Sequence, residues 1–387
     1  MPYWRLSSFY FSYFFAVGVW MPFCALYFDS KGYSTTQIGL LVAMISMTRI
    51  IAPNLWGWLA DKTQRRMAIV KMGLCMALVV FSAIYASDSM ASMLLVVIGY
   101  TFFLNAVMSQ FDVLTLRFLG DQHAKYGRIR LWGSLGFIAA VLLAGGLFDV
   151  VSISHLPAVV IIGLLVSAVI PWSLNEPVEP RHDDTLFSSR LFLNTLRQPA
   201  TLAFLGAAFL LQISHAPYYT FFSIYLEDHG YSRIQIGSLW AFAVMAEVAM
   251  FTQTHQLLRR YSVRFLMLLA MWAAAVRWSG TALMADNLWM LLVLQTLHAF
   301  TFAVFHAASV DFVRQHFSSR SQGQAQSLLN ATSFGAGAAL GAYGSGLLWD
   351  GWGMLTYYMA ASAAVIGAIA IGYFVRSPST ETSKCSV

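Results

Sequence analysis

The chain has 387 residues, of which 58% are hydrophobic and only 10% charged; a water-soluble domain, with about a quarter of its residues charged, is excluded. The formal charge of +6 does not mark a nucleic-acid-binding face, because the basic residues fall in alternate loops between apolar runs. A span needs about 20 residues to cross about 30 Å of hydrocarbon, so this length holds about twelve spans and no large soluble domain.

Taken in order, the apolar runs predict spans at 5–29, 36–60, 68–87, 91–116, 127–149 and 156–175, then at 199–227, 235–257, 264–284, 288–313, 322–349 and 353–375. The expected fold is all-α: twelve transmembrane helices in two pseudo-symmetric six-helix bundles, 1–175 and 199–375. A polar linker, 176–198, joins them, and a tail, 376–387, follows. Nineteen of the 23 Lys and Arg residues, from Arg5 through Arg181 and Arg190 to Arg376 and Lys384, fall on one side. That asymmetry puts both termini in the cytoplasm of an inner-membrane protein. The first run lacks a small-residue cleavage site and reads as the first helix, not a removed signal. Cys24, Cys75 and Cys385 form no disulfide framework.

An internal repeat supports the division. Gly32, Tyr33, Ser34, Gln37, Ile38 and Gly39 recur as Gly230, Tyr231, Ser232, Gln235, Ile236 and Gly237, all at an offset of 198, with Tyr27 matching Tyr225. In each copy a Ser is followed three residues later by Gln, the capping box that opens a helix, here spans two and eight. Parallel repeats of this kind place a solute site between two halves.

Ionisable residues inside spans cost energy in lipid and face cavities. Arg49 and Glu247 are repeat equivalents, each 15 residues from its cap, or about 22 Å along a helix. They are expected at matching depths, where a cation and an anion can pair across a central cavity. Arg277, His298, His306, His215 and Asp112 are further intramembrane members, with Asp112 and Arg130 toward the cytoplasmic end. His298 and His306 sit about 80° apart around a helix, which does not suit a metal. No metal, cofactor or enzymatic nucleophile–base pair is expected. Glycines 335, 337, 341, 344 and 346 predict close packing of span eleven, and Pro22 and Pro217 are expected to kink spans one and seven.

The loop after span two reads Gly57, Trp58, Leu59, Ala60, Asp61, Lys62, Thr63, Gln64, Arg65, Arg66. It resembles the signature of the major facilitator superfamily, with Gln64 where a second Gly is usual. As a gate, Asp61 would face the N-terminal end of span eleven while Arg65 and Arg66 pair across the bundles. The run from Tyr126 through Arg128, Arg130, Leu131, Trp132, Gly133 and Ser134 to Phe137 resembles span five of the lactose permeases. Met245-Ala246-Glu247, Val276-Arg277 and Thr296-Leu297-His298 extend that match. The resemblance is closer still to the bacterial phenylpropionate permease group, at Pro22, His215-Ala216, Tyr218-Tyr219 and Arg277-Trp278.

The resemblance implies that Asp112, Arg130, Phe137, Glu247 and His298 bind substrate, with Phe137 replacing a Trp that stacks on sugar, and that Arg277 takes part in proton coupling. Thr301 stands where lactose permeases carry the carboxylate that releases the proton, so another acid must do so here. Glu247 is the first candidate and Asp112 the second, since a carboxyl moved between an apolar wall and a guanidinium changes its proton affinity. Arg49, Arg130 or Arg277 would hold a substrate carboxylate, and Tyr218 and Tyr219 are placed to touch a ring. The expected function is proton-driven uptake of a small organic solute by a monomer, an aromatic carboxylate such as 3-phenylpropionate leading. A sugar or nucleoside symporter, a drug exporter and a non-transporting sensor stand as alternatives.

Overall fold

The computed structural model describes residues 2–122, 125–177 and 189–375. Expectations for Arg181, Arg376, Lys384, Cys385 and most of the linker and tail lie outside the described residues. Six membrane-capable segments come first: α1 (Tyr3–Ser30), α2 (Thr35–Thr63), α3 (Arg66–Ser82), α4 (Met90–Leu119), α5 (Tyr126–Val150) and α6 (Leu156–Val169). A short amphipathic helix, α7 (Ser189–Leu196), occupies the end of the stretch read as linker. The others are α8 (Pro199–Asp228), α9 (Arg233–Phe251), α10 (Thr254–Arg260), α11 (Val263–Leu283), α12 (Leu288–Thr296), α13 (Phe305–His316), α14 (Gln322–Asn330) and α15 (Ala338–Phe374).

Among the described residues, eleven segments are long and apolar enough to cross a membrane. One of them, Gln322–Phe374, has 53 residues, about 80 Å if straight, so it holds two spans of a bilayer core about 30 Å thick. The break is at Trp352, whose backbone leaves the helical region at φ −146° and ψ 29°. Spans ten and eleven are each interrupted by a π-helical turn, at Ala299–Val304 and Ala331–Gly337. Span eight is shorter than expected, because α9 stops at Phe251 and a turn leads into the short α10. Pro22 and Pro217 sit inside α1 and α8, which run on unbroken.

The repeat is visible atom by atom. Ser34 and Ser232 each accept from a Gln N–H at 3.4 Å, and each Gln side chain accepts back from the Ser N–H at 2.9 Å. Just before these caps, Gly32 and Gly230 both adopt φ +80°, the left-handed turn that ends α1 and α8 and that a side chain disfavours. Leu95, Leu143, Ile162, Val293 and Ile369 are exposed on outer faces, where lipid rather than water suits them. Of the span-eleven glycines, 335, 337, 341 and 346 lie where a Cβ would collide with a neighbouring helix, whereas Gly344 has open space.

The halves meet along two seams at the end where α2 and α9 begin. Gly39 lies against Ala342 and Gly346 of α15, and Gly237 lies against Val141 and Gly145 of α5. Thr35 and Thr36 hydroxyls donate to the Gly346 carbonyl, while the Asp149 carboxylate accepts from the first two N–H groups of α9, those of Arg233 and Ile234. Among the described residues, every hydrogen bond joining 2–177 to 189–375 is at this end. It is the sealed end.

Candidate functional site

Above the seal, a cavity of about 430 Å³ lies between the halves, within the roughly 300–1,000 Å³ range of ligand pockets. Seven of the eight residues expected to bind substrate line it: Arg49, Arg130, Phe137, Tyr218, Tyr219, Glu247 and His298. The eighth, Asp112, does not. It turns to Tyr10 and Tyr126, whose hydroxyls donate to its Oδ1 at 2.7 and 2.9 Å. Two phenols satisfy that carboxylate inside its own half, so its place in a substrate site is corrected for this conformation.

Arg49 and Glu247 share the chamber, as their matching depths predict, but they are not paired. Glu247 Oε2 lies 3.3 Å from Nε2 of His298 in its own half. Arg49 is exposed to the chamber and, among the described residues, makes no hydrogen bond or ion pair. Arg130 also lacks a hydrogen bond there; its guanidinium rests 4.1 Å above the centre of the Phe14 ring. Glu247 is the only acid among the lining residues, so the chamber wall carries two arginines and one carboxyl group.

Arg277 does not line the chamber but backs it. Fully buried, it is sandwiched between Tyr218 and Trp278 at 4.5 and 4.4 Å from their ring centres. It donates from Nη1 to His298 Nδ1 at 2.8 Å and from Nη2 to Gln295 Oε1 at 2.7 Å. Behind it, His215 meets the Leu211 carbonyl and the Thr301 hydroxyl. His306 stacks on Phe302, outside the lining.

The gating loop departs from expectation. Arg66 pairs with Asp61 in the same loop and donates to Gln110 Oε1 of α4 at 2.6 Å, while Arg65 is exposed and Lys62 lies over the Trp58 ring. Gly57 sits beside Gln110 with room to spare. Among the described residues, no hydrogen bond or ion pair from this loop reaches the other half. Gln64 takes φ +56°, which explains why Gly is usual at its position; its side chain bonds back to the Asp61 carbonyl at 2.6 Å.

Three amides that the pattern of charged residues does not reveal also build the site and its supports. Asn105 lines the chamber and donates to Thr48, Gln110 anchors Arg66, and Gln295 anchors Arg277. An amide within an apolar run is the signal that would have found all three.

A sequence profile of the MFS_1-like family matches residues 3–360. The chain belongs to that family. Relatives of this MFS_1-like chain include a probable 3-phenylpropionic acid transporter of Escherichia coli (strain K12), 28% identical, covering 92% of this chain and 93% of the relative. A maltose permease of Geobacillus stearothermophilus is 26% identical over 94% and 92%. Among solved structures, the nucleoside transporter NupG superposes with a TM-score of 0.81 at 18% identity, covering 96% and 98%. A bacterial homologue of the lysosomal transporter Spinster gives 0.74 at 16%, over 97% and 96%. These last two share the fold. The chain is a multi-pass major facilitator transporter that handles a small molecule.

Proposed function

We propose that this transporter imports a small monocarboxylate bearing an aromatic ring, together with a proton. The observation that carries the reading is Arg49: a guanidinium at the heart of the chamber with neither an ionic nor a hydrogen-bonding partner among the described residues. A guanidinium that opens onto the chamber without an anion is free to take one, and it can grip a substrate carboxylate through two parallel N–H donors. Arg130 supplies a second cation, and Phe137, Tyr219 and Phe302 supply apolar walls for a ring.

Proton coupling follows from charge. Ionised Glu247 competes with a substrate carboxylate for the field of the two arginines; a protonated Glu247 does not. Proton and anion therefore favour each other's binding, and linkage makes that coupling reciprocal. With the basic loops inside, the sealed end faces outward and the chamber faces the cytoplasm, one half of an alternating-access cycle. Both termini then lie in the cytoplasm.

The experiment is uptake into proteoliposomes with an imposed pH gradient, offering labelled 3-phenylpropionate, maltose and uridine to wild type and Arg49→Gln. Each charge-assisted hydrogen bond lost is worth about 1.5–3 kcal/mol, so apparent affinity for the acid falls roughly 10- to 100-fold. Uptake of maltose or uridine in preference to the acid, with Arg49→Gln unaffected, would overturn the reading in favour of a sugar or nucleoside carrier. Binding without flux would make the chain a sensor.

A further inference from the structure

The polar cluster behind the chamber has a direction, set by groups that can act in only one way. A guanidinium has no acceptor, so the 2.8 Å contact from Arg277 Nη1 to His298 Nδ1 makes that nitrogen an acceptor with a bare lone pair. The ring hydrogen of His298 is then on Nε2, the nitrogen that lies 3.3 Å from Glu247 Oε2. A carbonyl can only accept, so the 2.8 Å contact between His215 Nδ1 and the Leu211 carbonyl puts the His215 hydrogen on Nδ1. Nε2 of His215 is thereby bare, and it accepts the Thr301 hydroxyl at 3.1 Å. A second acceptor for that hydroxyl, the His298 carbonyl, is farther at 3.4 Å. The oxygen of Thr301, its hydrogen committed to His215, accepts from Arg277 Nη1 at 3.5 Å.

We infer that His298 and His215 are held as neutral imidazoles of opposite tautomer, Nε2–H and Nδ1–H respectively. Thr301 and His215 act as positioning residues that hold Arg277 against His298, so that His298 always presents a donor to Glu247. A second proton on His298 would aim an N–H at the Arg277 guanidinium, and one on His215 would aim an N–H at a hydroxyl that Arg277 already donates to. Both imidazoles are nearly fully buried, with no carboxylate on His215 to compensate. The histidines therefore orient the acid and take up no second proton themselves. Among the described residues, the side chains that accept from Arg277 are His298, Thr301 and Gln295, with Glu247 on the far side of His298. The inference rests on the reading that Glu247 is the chamber's proton-carrying acid.

Two measurements on the full chain test it. In lipid nanodiscs with nitrogen-15-labelled histidine, nine histidines contribute, and spectra of His298→Gln and His215→Asn assign the two signals by their loss. The expected result is a protonated Nε2 on His298 and a protonated Nδ1 on His215, from mildly acidic to mildly alkaline pH. An imidazolium at either site, or one tautomer at both, overturns the inference. This readout needs no transported solute, so an error in the substrate or in the role of Glu247 is seen separately.

The second measurement uses side-chain reach. The amide of Asn falls where a histidine carries Nδ1, and that of Gln where it carries Nε2. His298→Gln keeps an N–H on the side of Glu247, whereas His298→Asn keeps only the acceptor on the side of Arg277, so pH-driven accumulation by His298→Gln should exceed that of His298→Asn by about tenfold or more. His215→Gln, which keeps an acceptor where Nε2 meets the Thr301 hydroxyl, should exceed His215→Asn, and Thr301→Ser should restore what Thr301→Val loses. A role in packing alone damages both members of a pair alike. Equal or reversed order among variants that unfold within a few degrees of wild type overturns the inference.

Discussion

Asp149→Ala should loosen the sealed end. The Asp149 carboxylate, at the end of α5, accepts from the N–H groups of Arg233 and Ile234 at 2.6 and 3.1 Å, capping α9 of the other half. Removing an N-terminal cap costs about 0.5–2 kcal/mol, and the anion's interaction with the helix dipole adds about 0.3–1 kcal/mol. Asp149 is exposed at the rim, which favours the lower part of both ranges. The total, about 1–2 kcal/mol, changes a two-state ratio about 5- to 30-fold. What remains of this seam is the Arg233 guanidinium on the Phe148 carbonyl at 2.8 Å and the glycine contact at Gly237. Spin labels at Val150 and Asp286, both exposed at the sealed end, report the gap by pulsed electron resonance once Cys75 and Cys385 are replaced. The expected outcome is a longer-distance population that grows in Asp149→Ala and is intermediate in Asp149→Asn, which keeps one acceptor. Identical distance distributions in all three proteins would refute the idea that this cap holds the seam.

The glycine seam gives a sharper perturbation: in Gly237→Val the new Cβ overlaps the Val141 carbonyl, so the same labels should show the end held apart and uptake lost. Gly344→Ala, with nothing within 4 Å of the new Cβ inside a helix, should raise stability by about 0.4–1 kcal/mol in thermal unfolding. Glu247→Gln should abolish uphill accumulation of the acid while energy-independent exchange persists; undiminished accumulation would remove Glu247 from the proton step. Ser232→Ala, which deletes the cap of α9, should lower stability by about 1 kcal/mol, measured by thermal unfolding in detergent.

How far the sequence could be read depended on which coordinate was asked of it. Position along a helix is legible by counting, and so Arg49 and Glu247, offset by 198, do reach one chamber. The capping boxes at Ser34 and Ser232 are as expected, because a cap is a local hydrogen-bond pattern. Choice of partner is another matter. Glu247 meets His298 rather than Arg49, and Asp112 meets two tyrosines rather than the chamber, since rotation about the helix axis and the last few ångströms are set by packing between distant segments. The π-helical turn at Ala299–Val304, which contains Thr301 and follows His298, has no hydrophobic period to announce it. Asp61 and Arg66 show the same limit, pairing with each other rather than with the other half.

The placement of charge relative to the seams bears on how a rocking motion is driven. Arg49 and Arg130 belong to the first half, and Glu247, His298 and Arg277 to the second. On the proposed reading, the substrate anion is gripped by one half and the proton by the other, so their mutual effect acts across the interface that must move. An ionised Glu247 is attracted to the two arginines when the anion is absent and repelled by the anion when it is present. Protonation removes both forces. Empty or loaded with both ligands, the chamber holds two guanidiniums and a single anion; loaded with the substrate anion alone, it holds two anions whose mutual repulsion disfavours that state relative to the fully loaded one. The seams themselves are unequal: hydroxyls on a carbonyl at Gly346, a carboxylate on a helix N-terminus at Asp149. Neutral hydrogen bonds yield more easily than charge-assisted ones, so opening of the sealed end should begin between α2 and α15 and finish at α5 and α9.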